Sequence, residues 1–151
     1  WIYARRLQKQ EIEELKEEIR NYSIKKTDEH IKKEIGVIES RFDSLDNNNQ
    51  AEFSRLLGIT SGNTKIYHRE LYWWLRAAYY YDLTDTGSNL IEVGINNAEK
   101  AIKNPDFKVV GTDFMEYLPE VEGFIAHFKT KQKIRMESIE NKLRDIVSKG
   151  T

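Results

Sequence analysis

Apolar residues recur at helical spacing in the first third of the chain, in two separate runs. The first run is Ile12, Leu15, Ile19 and Tyr22, and the second is Ile31, Ile35, Ile38, Phe42 and Leu45. Alternating steps of three and four residues place such side chains along one seam of a helix, as in a coiled coil. The two seams differ in phase by two residues, which a continuous coiled coil does not tolerate. We therefore predict a long amphipathic, coiled-coil-like segment over residues 1–46, either a hairpin or one helix bent near residues 23–30.

Polar and glycine-containing breaks divide the remainder, residues 47–151, into shorter helices. The predicted helices cover 50–57, 64–83, 90–103 and 129–151, with breaks at 46–49, Gly58, 61–63, 85–89 and Asn104-Pro105. Proline and glycine are scarce, at 2 and 8 residues, and Glu, Lys, Leu, Ile and Arg, which favour helices, are abundant near both ends. The pattern predicts an all-α fold, an irregular helical bundle whose compact domain follows the N-terminal segment.

Composition narrows the classes of function. Lys and Arg total 24 against 25 for Asp and Glu, so the overall field is near neutral, which disfavours a strongly electrostatic nucleic-acid binder. The chain has no cysteine, and its three histidines lack metal-ligand spacing. We predict no catalytic residue, no cofactor and no metal, and hence a non-enzymatic protein.

Charge is segregated near the C-terminus. Residues 105–128 hold five acidic residues and one lysine, whereas 129–151 hold seven basic and three acidic residues. The basic helix has one apolar stripe, formed by Ile139, Leu143 and Ile146. We expect it to pack beside acidic helices of the same domain; the alternative is an interaction tail.

The most unusual feature is an aromatic cluster. Residues 67–81 contain seven of the 17 aromatic residues. On a helix through this region, Arg69, Trp73, Arg76 and Tyr80 form one stripe on which arginine side chains can stack against rings. Either the stripe is an exposed surface that binds a partner, since these residue types are enriched at interface hot spots, or neighbouring helices cover it.

The chain begins with Trp1-Ile2-Tyr3-Ala4-Arg5-Arg6. Aromatic residues followed by arginines are typical of the cytoplasmic end of a transmembrane helix. One interpretation is a cytoplasmic, membrane-anchored protein with a tether N-terminal to Trp1, so that residues 1–46 are juxtamembrane. The other is a trimmed start.

Residues 50–68 resemble the helix-turn-helix of phage repressors. The matching positions are Phe53 and Leu57 in the core, Ser54 at the helix contact, Gly58 in the turn and Ile59 after it. The resemblance implies a recognition helix from which Ser61, Asn63, Lys65 and His68 face DNA.

A second segment, residues 70–105, resembles a tetratricopeptide hairpin. The matching residues are Trp74, Ala77, Ala78 and Tyr81 in the first helix and Ala98, Lys100, Ala101 and Pro105 in or after the second. Because no second copy follows, we interpret this segment as a single αα-hairpin.

These observations favour a helical protein-interaction or scaffolding module. The heptad seams predict self-association or binding of a protein partner, because each must bury apolar surface against another helix. A helix-turn-helix DNA-binding regulator is the alternative, with nucleic acid as its partner.

Overall fold

The computed structural model of the chain describes residues 46–84 and 88–150, together with residues 10, 12–14, 16, 17 and 33. Residues 46–84 and 88–150 form five α-helices and contain no strand. The helices are α1 (Asn47–Asn63), α2 (Tyr67–Thr84), α3 (Ser88–Lys103), α4 (Phe114–Lys129) and α5 (Lys133–Gly150). The predicted all-α bundle is confirmed.

The polar run at residues 46–49 begins α1. Asp46 is the N-cap, and its side chain accepts a hydrogen bond of 2.8 Å from the backbone N–H of Asn49. This bond satisfies one of the N–H groups that a helix start leaves without an intrahelical acceptor. The helix then continues through Gly58 to Asn63. The predicted helix end at Gly58 and the predicted break at 61–63 are therefore wrong.

The corner between α1 and α2 is a Schellman motif. The Lys65 N–H donates to the Gly62 carbonyl, and the Ile66 N–H donates to the Ser61 carbonyl. Together these bonds satisfy carbonyl groups at the end of α1. Lys65 occupies the left-handed position of the motif, with φ of 62°.

Replacing Lys65 with glycine should stabilise the protein. A side chain in the left-handed region costs roughly 1–2 kcal/mol, which glycine avoids. Since glycine also has a more flexible unfolded state, we expect a net gain of about 1 kcal/mol in the free energy of unfolding, measured in urea. Lys65→Val, which places a β-branched side chain at this φ, is the control and should lower stability. Equal stability of the two variants would contradict the assignment.

Helix α2 is the centre of the bundle and contacts α1, α3 and α4. Its buried residues lie on all sides of the helix and include Leu71, Trp73, Leu75 and Tyr81. The dense aromatic sequence thus fills a core shared with several neighbours, since large rings remove more apolar surface from water than aliphatic side chains.

Helices α2 and α3 pack closely along their length. At Gly94 on α3, an added Cβ would lie 3.0 Å from the Ala78 Cβ and 3.0 Å from the Trp74 carbonyl oxygen on α2. Small residues at this crossing let the two helices approach each other.

The basic helix α5 packs against α4 and α3. Ile139 and Leu143 of the predicted stripe are buried, and Ile146 is partly buried. Arg135 bonds to Glu92 of α3 at 2.9 Å, also contacting Asn96, and Lys129 at the end of α4 bonds to Glu140 at 2.8 Å. The first pair joins a base of α5 to an acidic residue of α3, and the second joins an acidic residue of α5 to a base of α4.

The N-terminal predictions fall mainly outside the described residues. Ile12 packs against the core, but the seam from Ile31 to Leu45, the bend at 23–30 and the start at Trp1 are not described. In the described parts of the chain, no helix is both long enough and apolar enough to cross a membrane.

Candidate functional site

The predicted partner-binding stripe on α2 is largely covered. Arg69 and Trp73 are buried, with exposed fractions of 6% and 2%, while Arg76 and Tyr80 are partly buried. Of the two alternatives, coverage by neighbouring helices describes Arg69 and Trp73, while Arg76 and Tyr80 keep partial exposure. The reason is that α2 has helices packed on several sides, so its second face also lies in the core.

Arg76 is held at the contact between α1 and α2. Its guanidinium donates to the Ser54 hydroxyl and to the Gln50 side-chain oxygen, both at 2.8 Å. The guanidinium carbon lies 4.9 Å from the Tyr80 ring centroid and 5.5 Å from that of Trp73. The predicted stacking of arginine on the rings is present, and it stabilises the fold between two helices.

Arg69 joins α2 to the start of α4. Its guanidinium lies 3.0 Å from one oxygen of Asp113, whose other oxygen accepts a bond of 2.7 Å from the Tyr117 hydroxyl. His68 lies 3.6 Å from the same carboxylate. Burial alone would raise the pKa of Asp113, but the Tyr117 bond and the Arg69 charge outweigh it and hold this pKa below its ordinary value. The cluster is a tie between helices in which the charges are paired.

The four residues expected to face DNA do not share one helix. Ser61 is buried and donates a bond of 2.7 Å to the Leu57 carbonyl. Asn63 ends α1 and Lys65 lies in the corner, both exposed, while His68 begins α2 beside Asp113. The resemblance places the turn at Gly58, whereas the observed corner lies six residues later. The side chains exposed near the corner therefore differ from those that the resemblance implies.

A polar cleft lies between α1, α2 and α3, with a volume of about 560 Å³. Each helix contributes positions spaced by about one turn. The lining residues are Ile59, Gly62 and Asn63 from α1, Tyr67, Glu70 and Trp74 from α2, and Asn97, Lys100 and Asn104 from α3 and its end. Such spacing places each set on one face of its helix, and the three faces together line the cleft.

Two glycines on α1 make room for the α2 side chains that line the cleft. A Cβ on Gly58 would lie 2.9 Å from the Trp74 indole, and one on Gly62 would collide with the Glu70 carboxylate. The glycines are four residues apart and therefore lie on one face of α1. They allow the indole and the carboxylate to lie directly against the α1 backbone.

Two polar groups of this cleft have no partner among the described residues. Trp74 is 5% exposed, and its indole N–H donates to no acceptor. Glu70 is partly buried, and within the described part of the chain no hydrogen bond or ion pair engages its carboxylate. Burial raises the pKa of Glu70, and the nearby charge of Lys100 offsets this only in part. A buried N–H normally has an acceptor, so the unmatched Trp74 indole next to the unpaired Glu70 carboxylate marks this cleft as a candidate site.

An apolar groove lies on the other side of the bundle, between α4 and α5, with a volume of about 260 Å³. Ile125 and Leu143, which are buried, line the groove together with partly buried Leu118 and Val147. Glu122 on α4 and Arg144 on α5 also line it and are exposed to solvent. An apolar lining with charged side chains at its edges is typical of grooves that bind an amphipathic helix.

Sequence reasoning missed both concave features. In the cleft, the spacing of Tyr67, Glu70 and Trp74 was a usable signal, because it places one acid between two aromatic residues on one helix face. The glycine pair at Gly58 and Gly62 was another, since small residues four apart allow close helix contact. Within the described residues, no group of three or more His, Asp or Glu side chains could hold a metal ion.

Comparisons of the chain with protein-family profiles, curated proteins and solved structures give no match.

Proposed function

We propose that this chain is a non-enzymatic helical protein-interaction module that self-associates. In this proposal, the apolar seam of residues 31–45 from one copy occupies the α4–α5 groove of a second copy. The observation that carries the proposal is the groove itself, whose lining includes Leu118, Ile125, Leu143 and Val147. The seam supplies apolar side chains at the spacing with which a helix fills such a groove.

The charges on both surfaces are compatible with this arrangement. The groove has an acidic side chain on α4, Glu122, and both an acidic and a basic one on α5, Glu140 and Arg144. Residues 31–45 contain three basic and three acidic residues, so neither wall of the groove meets a segment of uniform like charge. In a two-fold symmetric dimer each copy would provide one seam and one groove, and every substitution would act twice.

The mass of the protein in solution tests this function. We expect the wild-type chain to form a dimer at micromolar concentration and the Val147→Asp variant to dissociate more readily. Removing one buried aliphatic side chain from an interface costs roughly 1.5–3 kcal/mol, and 1.4 kcal/mol is tenfold in Kd. The dissociation constant of the dimer should therefore rise at least tenfold. Ile38→Asp combined with Leu45→Asp should have the same effect from the seam side. Light scattering after size-exclusion chromatography measures both.

Ile134→Asp is the matched control, because Ile134 lies on the same helix, is 85% exposed and does not line the groove. It should leave the dimer unchanged. A monomeric wild-type chain at tens of micromolar would contradict self-association. If that monomer loses thermal stability when Ile38 and Leu45 are replaced, the seam packs within its own chain instead.

A further inference from the structure

We propose that the α1–α2–α3 cleft binds an α-ammonium group together with its neighbouring carbonyl or carboxylate oxygen. This unit occurs in a free amino acid and at the N-terminus of a peptide. The assignment is independent of self-association and concerns a different face of the bundle.

The Glu70 carboxylate selects the cationic part of the ligand. It is partly buried and lies against Gly62, and no cation of the described residues comes within 4.0 Å of it, although the charge of Lys100 acts on it from farther away. Leaving a carboxylate partly dehydrated without a partner is unfavourable, and a bound ammonium group would compensate with charge-assisted hydrogen bonds. Lys100 lines the same cleft but forms no ion pair with Glu70 within 4.0 Å.

The Trp74 indole N–H selects an acceptor beside that cation. This N–H is a donor only, and burial without an acceptor costs free energy that a ligand oxygen would recover. Trp74 follows Glu70 by one helical turn, and the two side chains lie against glycines that are also one turn apart. One turn rises about 5.4 Å, so the ammonium and the acceptor belong to one small unit.

The remaining polar residues make the cleft neutral overall and well ordered. Glu70 and Lys100 contribute opposite charges, which suits a ligand that carries both an ammonium group and an oxygen acceptor. The Asn97 side chain donates to the Val93 carbonyl at 2.9 Å, and the Asn104 side chain accepts from the Asp106 N–H at 2.8 Å. These bonds fix two amides at the cleft before any ligand arrives, which lowers the entropic cost of binding.

Nuclear magnetic resonance of the full chain tests the site through the Trp74 indole N–H resonance. We expect L-alanine, L-alaninamide or both to shift this resonance saturably at millimolar concentration. Binding of L-alanine alone identifies the free amino acid as the ligand, and binding of L-alaninamide alone identifies a peptide N-terminus. N-acetyl-L-alaninamide lacks the ammonium group and should produce no shift. A response to the acetylated compound equal to that of L-alaninamide, or no response to any probe, would overturn the proposal.

Two variants separate the site from a general effect of charge. Glu70→Gln keeps the shape of the side chain and should weaken binding at least tenfold, while thermal stability rises because an unpaired, partly buried charge is removed. Gly62→Ala keeps every charge but forces the carboxylate away from α1, and should also weaken binding. Glu116→Gln, at an exposed glutamate of α4, is the control and should bind as the wild type does. Unchanged affinity in Glu70→Gln would refute the assignment.

Discussion

Alanine at position 94 should destabilise the protein by about 2–3 kcal/mol, the upper part of the usual cost of overpacking a well-packed core. The added Cβ would lie 3.0 Å from the Trp74 carbonyl oxygen and 3.0 Å from the Ala78 Cβ. A backbone carbonyl cannot rotate away as the end of a flexible side chain can, so α3 must move away from α2. That movement would loosen the packing around Ile95, which has no exposed surface. The free energy of unfolding, measured in urea, checks the value.

Gly123→Ala is the matched control, since Gly123 also lies inside a helix but has no atom within 4 Å of an added Cβ. There alanine only removes the backbone entropy penalty of glycine, and we expect a gain of about 0.5–1 kcal/mol. The same substitution should thus have opposite signs on α3 and α4. A gain at both positions would show that α2 and α3 do not approach as closely as described.

The helices with clear apolar periodicity were predictable from sequence. Residues 64–83 and 90–103 were predicted helical, and the structure has Tyr67–Thr84 and Ser88–Lys103. The stripe of α5 was also recognisable, because Ile139 and Leu143 are its buried positions. In these regions local pattern and tertiary packing favour the same conformation, which is the condition for reading structure from sequence.

The course of α1 was not predictable, because glycine has two uses that look alike in a sequence. The sequence pattern predicts a helix end at Gly58 and a break at Gly62, yet both residues lie inside α1. Their partners, Trp74 and Glu70, belong to another helix, and only the contact between the two helices distinguishes close approach from a turn. The left-handed residue at the corner is instead Lys65, a residue type that carries no turn signal.

The exposure and the partners of the candidate-site residues also depend on contacts between helices. The stripe containing Arg69 and Trp73 was recognised as a stripe, but its exposure depends on which helices pack against α2. Likewise, the partner of Arg69 lies 44 residues away in sequence. Periodicity reports which side chains share a face, whereas the cleft and the groove are properties of three helices and two helices together.

Removing the Asp113 carboxylate charge should be the second most damaging change. Asp113→Asn removes the charged partner that lies 3.0 Å from Arg69, a side chain that is only 6% exposed. It also weakens the acceptor for the Tyr117 hydroxyl. Hydrogen bonds to charged groups contribute about 1.5–3 kcal/mol, and the partial exposure of Asp113 places the expected loss near 2 kcal/mol. Asp145→Asn, which breaks an exposed pair with Lys149 one turn away, should change stability by less than about 0.5 kcal/mol.

The pH dependence of the Asp113→Asn effect identifies the charge as its cause. The pKa of Asp113 is lower in the folded state than in the unfolded chain, so this carboxylate stabilises the fold at any pH above the ordinary aspartate pKa of about 3.9. That stability is lost as the pH falls through the depressed folded value. Arg69, His68 and Tyr117 face the carboxyl. The difference in the free energy of unfolding between wild type and variant should therefore be largest at neutral pH and shrink below a pH of about 4. If this difference stays constant down to strongly acidic pH, the loss of stability comes from packing instead.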